Sequence, residues 1–161
     1  MDEQQFKQLL HQARRGETAA VLAAVDLDPA LATRADAANR VRLLHEASIG
    51  GHLELVTGLL DRGSDLHARD RFGTDALFCA SCEGHLPVAT LLLDRGADPC
   101  TRIDYWTALG VAAVYDRHPV VLLLLSRGAD LAATMTGWSL SLQRTALEWC
   151  GHHVHQRLSD E

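Results

Sequence analysis

Aromatic residues make up only 5% of the 161 residues, and proline and cysteine number four each. A core with so few rings has to be assembled from Leu, Val and Ala, the residues of closely packed helices, which points to an all-α body. The four cysteines (Cys79, Cys82, Cys100, Cys150) could pair on paper. The opening Met1-Asp2-Glu3, however, is acidic where a secretion signal would be basic, so the chain is expected to be unexported and its thiols reduced. Long apolar runs are also missing. Runs such as Val120 to Leu125 fall far short of the roughly 20 residues a membrane span needs, so a cytoplasmic protein with no membrane partner is expected. Positive charge is scarce: 15 Lys and Arg against 21 Asp and Glu leave a net charge of −6, a poor match for a phosphate backbone, and nucleic acid is excluded as a partner. There is no Gly-rich phosphate loop, no Gly-x-Ser-x-Gly elbow and no His-Glu-x-x-His, so neither catalytic residues nor a cofactor is expected. The chain does not read as an enzyme.

What the sequence has is a repeat. Asp61-Arg62-Gly63-Ser64-Asp65, Asp94-Arg95-Gly96-Ala97-Asp98 and Ser126-Arg127-Gly128-Ala129-Asp130 are near copies, their glycines 33 (96 − 63) and 32 (128 − 96) residues apart. Leu44-His45-Glu46-Ala47, Leu77-Phe78-Cys79-Ala80 and Leu109-Gly110-Val111-Ala112 keep the same offsets, as do Gly51-His52 and Gly84-His85, with Asp116-Arg117 at the third copy. Each unit reads as a short helix stopped by Gly51 or Gly84, then a second helix with apolar residues at helical spacing, then a left-handed cap at Gly63, Gly96 or Gly128. Such short helix pairs cannot bury their apolar stripes alone, and stacked neighbours can.

At these residues the chain resembles the ankyrin-repeat family, whose unit runs Gly-x-Thr-Pro-Leu-His-x-Ala, then Gly-His, then Leu-Leu, then Gly-Ala-Asp. The match is strongest from Gly73 to Asp98. The resemblance implies an all-α solenoid of stacked helix-turn-helix units with short β-hairpin fingers, in one domain over residues 1–161. It would hold repeats at about 3–35, 36–69, 70–102 and 103–133, then an extended finger and a partial capping repeat at 134–161. The style of the chain is also similar to small bacterial ankyrin proteins. Leu9, Gly16 and Val21 stand 35 residues before Leu44, Gly51 and Val56 and mark the first repeat, whose finger is longer. The family's proline at the first helical position is absent, and its threonine survives only at Thr107 and Thr145, so the first helices are expected to start weakly, by ~0.5–1 kcal/mol for each missing device. Tyr105 replaces a turn glycine in a finger one residue shorter than its predecessor, whose geometry is expected to differ. The stretch from Leu109 to Leu147 is 38 residues (147 − 109), and its insertion carries Met135, Trp138, Leu140 and Leu142 with strand-like alternation.

The resemblance further implies a module that binds a protein partner on a concave face of finger tips and first helices, as an adaptor, scaffold or inhibitor, and as a monomer. Carried through the register, that face comprises Asn39, Arg71, Phe72, Thr74, Glu83, Ile103, Asp104, Trp106 and Tyr115, with Trp138 on the neighbouring inserted finger; Val41, Ile49, Cys82 and Val114 fall on it as well. Slots without a packing duty need no aromatic ring, and here they hold several of the few rings in the chain. Two readings stand: the rings anchor a partner, or Tyr105, Trp106 and Trp138 seal an irregular finger.

A different class of function, a metal- or redox-responsive domain, would use Cys79 and Cys82 or the tail histidines His152 and His155. The Cys79-Ala80-Ser81-Cys82 spacing lies inside a helix rather than at the N-terminus of one after a strand, and no second close pair completes a zinc site. His152 and His155 could share a helix face, and a solvated tail explains them equally well. His45, His52 and His85 fall at positions where the family's imidazoles bond neighbouring loops.

Overall fold

The computed structural model describes residues 1–103 and 106–131. Among these residues eight α-helices follow one another as pairs: α1 (Glu3–Arg15) with α2 (Thr18–Leu27), α3 (Leu43–Gly50) with α4 (Leu53–Asp61), α5 (Ala76–Glu83) with α6 (Leu86–Asp94), and α7 (Ala108–Val114) with α8 (His118–Ser126). A 3-10 turn, Pro29–Ala32, fills the longer link after the first pair. The first helices stack α1 on α3 on α5 on α7, and the second helices stack α2 on α4 on α6 on α8, giving two layers with one continuous core between them. Phe6, Val21, Leu44, Leu59, Leu77, Leu92, Leu109 and Leu124 form that core, each within 2% of complete burial. The chain is thus the mostly helical solenoid its periodicity predicts.

The turn between the helices of a pair shows how the repeat is kept when its letters change. Gly16, Gly51 and Gly84 adopt left-handed φ of 78°, 74° and 85°, and in the last pair Asp116 takes that conformation at φ 55°. Beneath each turn a side chain ties the unit to its predecessor. His52 Nε2 bonds the Arg14 carbonyl at 2.9 Å and His85 Nε2 the Ile49 carbonyl at 2.8 Å, while Arg117 donates its Nε–H to the Cys82 carbonyl at 3.0 Å. A guanidinium has replaced an imidazole without loss of the bond. This arrangement leaves no room at Gly50, where an added Cβ would meet the Arg14 carbonyl and the His52 ring. Glycine to alanine in a helix ordinarily gains about 1 kcal/mol; Gly50→Ala is expected instead to cost about 1–3 kcal/mol in chemical denaturation, because a main-chain carbonyl cannot step aside.

The fingers depart from the expected set of hairpins. Asp36 N–H donates to the Val41 carbonyl (2.9 Å) and Asp70 N–H to the Thr74 carbonyl (3.0 Å), whereas Ile103 pairs with Trp106 in an antiparallel ladder of β1 (Arg102–Ile103) and β2 (Trp106–Thr107). The enclosed loops shorten from four residues (37–40) to three (71–73), and Ile103 and Trp106 pair across a still shorter interval. Only the shortest is a β-hairpin among the described residues. In the other two the carboxylate folds inward: Asp36 accepts from the N–H groups of Ala38, Asn39 and Val41, and Asp70 from those of Phe72 and Thr74. Ile103 stands where those acids stood and has no acceptor to offer, so strand pairing takes over.

The expectation of weak starts for the first helices holds for α3, whose cap residue Arg42 makes no side-chain cap bond, but not for α1, α5 or α7. Asp75 occupies the family's threonine slot and accepts from Phe78 N–H at 2.8 Å, Thr107 caps α7, and Asp2 with Gln5 forms a reciprocal capping box on α1. Aspartate caps as well as threonine, so the loss of the family residue is not a loss of the cap. On the outer layer, Arg62, Arg95 and Arg127 do more than oppose a helix dipole. They reach Asp26 (2.7 Å), Asp61 (2.9 Å) and Asp94 (2.7 Å) of the preceding unit, a ladder of exposed pairs that solvent screens.

His45, 2% exposed, donates Nε2–H to the Thr74 carbonyl at 3.0 Å and so links α3 to the second finger. Since a carbonyl only accepts, Nε2 carries the proton and the buried Nδ1 is the bare nitrogen, which has no partner. Burial lowers the pKa of His45 below its usual 6.5, with the Thr74 bond opposing. The unfolded state therefore takes up the proton first. Stability is complete above the unfolded pKa and is expected to fall as pH drops below about 6.5. Burial raises the carboxyl of Glu46, which acts in the opposite sense and at lower pH. Urea melts in the histidine window should therefore show the decline in wild type and a flatter profile in His45→Gln.

Candidate functional site

The first-helix layer and the fingers carry the exposed rings. The Asp70-centred turn, with Gly73 left-handed at φ 82°, holds Phe72 at its tip with 67% of its surface open. The Arg71 guanidinium lies 5.2 Å from the Phe72 ring centroid, a cation–π arrangement. Arg71 also fastens this finger to the previous one, its N–H donating to the Asn39 carbonyl (2.8 Å) and its Nη1 to Asn39 Oδ1 (3.2 Å). Asn39, Arg71 and Phe72 thus form one connected group. Trp106, 38% exposed, sits on β2 opposite Ile103. Tyr115, 54% exposed, caps the C-terminus of α7 at the position Glu83 holds at the end of α5, with Val114 beside it at 36%.

Not every predicted position is a free surface. Thr74 and Ile103 are half-buried, the first giving its carbonyl to His45 and the second its backbone to the hairpin, so each has the structural duty the register alone denied it. Val41, Ile49 and Cys82 are half-buried too. Asp104 and Trp138 lie outside the described residues, as do Tyr105, His152 and His155. Cys79 is buried, and burial pushes its thiol well up; the half-buried Cys82 is raised by the same cause, so both favour the thiol over the nucleophilic thiolate. Among the described residues no three His, Cys, Asp or Glu side chains gather as metal ligands.

Sequence reasoning missed the other end of this face. Lys7, Leu10 and His11 of α1 line a shallow hollow with Asp36, Asn39, Val41 and Glu46. Glu46, half-buried there, pairs with Arg14 at 3.7 Å. The spacing of Lys7 and His11, one helical turn apart and both exposed, was the available signal. The face is therefore polar at its N-terminal end and aromatic in its C-terminal half. No helix among the described residues is long and apolar enough to cross a membrane.

Comparison with known proteins agrees with this geometry. A family model described as ankyrin repeats (3 copies) matches residues 2–103 and 44–135. The probable E3 ubiquitin-protein ligase XBOS33 of Oryza sativa subsp. japonica is 36% identical over 74 residues, which is 46% of this chain and 14% of the rice protein. The chain thus spans a small part of that relative, and the likeness lies in a repeat region.

Proposed function

The chain belongs to the ankyrin-repeat family, and from that premise we propose that it is a protein-binding module, an adaptor, scaffold or inhibitor, that holds its partner on the face of finger tips and first helices. Ankyrin repeats are generally protein-interaction modules, and the fold is typically non-enzymatic. One observation carries the finer reading: Phe72, Trp106, Val114 and Tyr115 are exposed on one layer of a chain that has few aromatic residues at all. Rings supply large contact area at low entropic cost and dominate the energetics of protein interfaces. The contact surface in this reading is Asn39, Arg71, Phe72, Thr74, Glu83, Ile103, Trp106 and Tyr115, with Asp104 and Trp138 at its edge. The protein acts as a cytoplasmic monomer, its four repeats closed by a partial repeat in 134–161. No catalytic group or cofactor enters, and the E3 ligase activity in the rice relative's name belongs to a protein of which this chain matches a small share. Affinity capture from the native cell, with wild type beside the Trp106→Ala/Tyr115→Ala variant, tests the reading. A partner lost only from the variant supports it, and a partner kept by the folded variant refutes it.

A further inference from the structure

Most arginines of the described residues fall into two sets. Arg14, Arg15, Arg34, Arg62, Arg95 and Arg127 each have a carboxylate within 3.8 Å. On the first two fingers Arg40, Arg42, Arg69 and Arg71 have no such ion pair. Arg42 Nη1 donates to the Arg69 carbonyl (3.1 Å), Arg69 Nη1 to the Arg102 carbonyl (3.3 Å), and Arg71 Nη1 to the Asn39 amide oxygen. These acceptors align the guanidiniums without neutralising them. The carboxylates nearest in sequence to Arg40, Arg69 and Arg71, those of Asp36 and Asp70, are turned inward onto backbone N–H groups. Arg40 is the sharpest case. Its side chain bonds nothing among the described residues, and its backbone is left-handed at φ 57°, in the finger before the one where Gly73 takes that conformation. A residue with a Cβ is strained there, and such strain collects at functional surfaces. Next to these cations Phe72 stands open under the Arg71 guanidinium. In a chain of net charge −6 this edge is a local exception, cationic and aromatic together.

We infer that the finger edge receives an acidic segment of a protein partner, its carboxylates pairing with Arg40 and Arg71 and an apolar side chain seating on Phe72. This rests on the binding face proposed above and specifies the chemistry of what binds there. Guanidinium and carboxylate match as planar, charge-assisted partners, and complementary charge steers the encounter. The overall negative charge of the chain repels acidic segments elsewhere, which confines them to this edge.

A random peptide display library selected on the full chain tests the inference. Three forms are compared: wild type, Arg40→Gly/Arg71→Gln, and Trp106→Ala/Tyr115→Ala, each first checked for cooperative thermal unfolding. The Arg40→Gly change relieves the left-handed strain, so loss of binding in that variant cannot be blamed on unfolding. Peptides retained by wild type are expected to be rich in Asp and Glu around an apolar residue. A synthetic, fluorescein-labelled member of that pool should bind the arginine variant about tenfold more weakly, and wild type more weakly as NaCl is raised. A pool without acid excess that depends on Trp106 and Tyr115 overturns the acidic inference and leaves the binding face intact. No enriched pool on wild type overturns both. A labelled single-stranded oligonucleotide or anionic vesicle that displaces the selected peptides through Arg40 and Arg71 also overturns it, by assigning the cations to another class of ligand.

Discussion

Leu92→Ala is expected to lower the unfolding free energy by about 2–5 kcal/mol, which for a chain of this size moves the melting temperature down by about 4–20 °C. Leu92 is 0% exposed on α6, which packs between α4 and α8, so the cavity opens in the middle of the outer layer. In a solenoid each unit contacts only its neighbours, and a gap there weakens the interfaces on both sides at once. Leu86 on the same helix is 37% exposed, and Leu86→Ala should stay within about 0.5 kcal/mol of wild type. Differential scanning calorimetry of the two variants checks the contrast. Equal shifts would mean that α6 is not held in the register described.

Trp106→Ala and Tyr115→Ala are each expected to weaken partner binding by about 30-fold or more, since truncating a buried anchor commonly costs about 2 kcal/mol. Both rings are partly exposed in the free chain, 38% and 54%, so both variants should still unfold cooperatively, and Tyr115→Ala should stay within about 0.5 kcal/mol of wild type. The single variants separate the two readings of the rings. If Trp106 served chiefly to seal its finger, its loss would lower stability and Tyr115→Ala would leave binding untouched. If the rings are anchors, both variants lose binding and Tyr115→Ala keeps the melting temperature. Isothermal titration with the captured partner, beside thermal melts of the same preparations, reads both quantities.

Much of the fold was legible because the repeat constrains it twice, through apolar spacing and through turn glycines in register. Gly51 and Gly84 could be read as helix stops and Gly63, Gly96 and Gly128 as left-handed caps without any structure, and the imidazoles after the first two as links between neighbouring loops. The less legible features are substitutions that preserve a role while changing the residue. Asp75 caps a helix where threonine is expected, and Arg117 makes the bond that histidine makes elsewhere. The Asp26–Arg62, Asp61–Arg95 and Asp94–Arg127 ladder was written in the period, yet a single unit read alone assigns those arginines to their own helix end. At the candidate site, register correctly placed Phe72 and Tyr115 on the surface. It could not reveal that Thr74 and Ile103 are drawn into the finger hydrogen bonding, because that depends on loops that shorten from finger to finger.

The measurement that bears most directly on the binding face is carbene footprinting of the free chain and of its complex with the captured partner, read residue by residue by mass spectrometry. Phe72, Trp106 and Tyr115 should lose labelling in the complex. Leu27, Leu53 and Leu86, exposed at 89%, 42% and 37% on the second helices, should keep theirs. Protection of those leucines with the three rings still labelled would place the partner on the opposite layer and contradict the account.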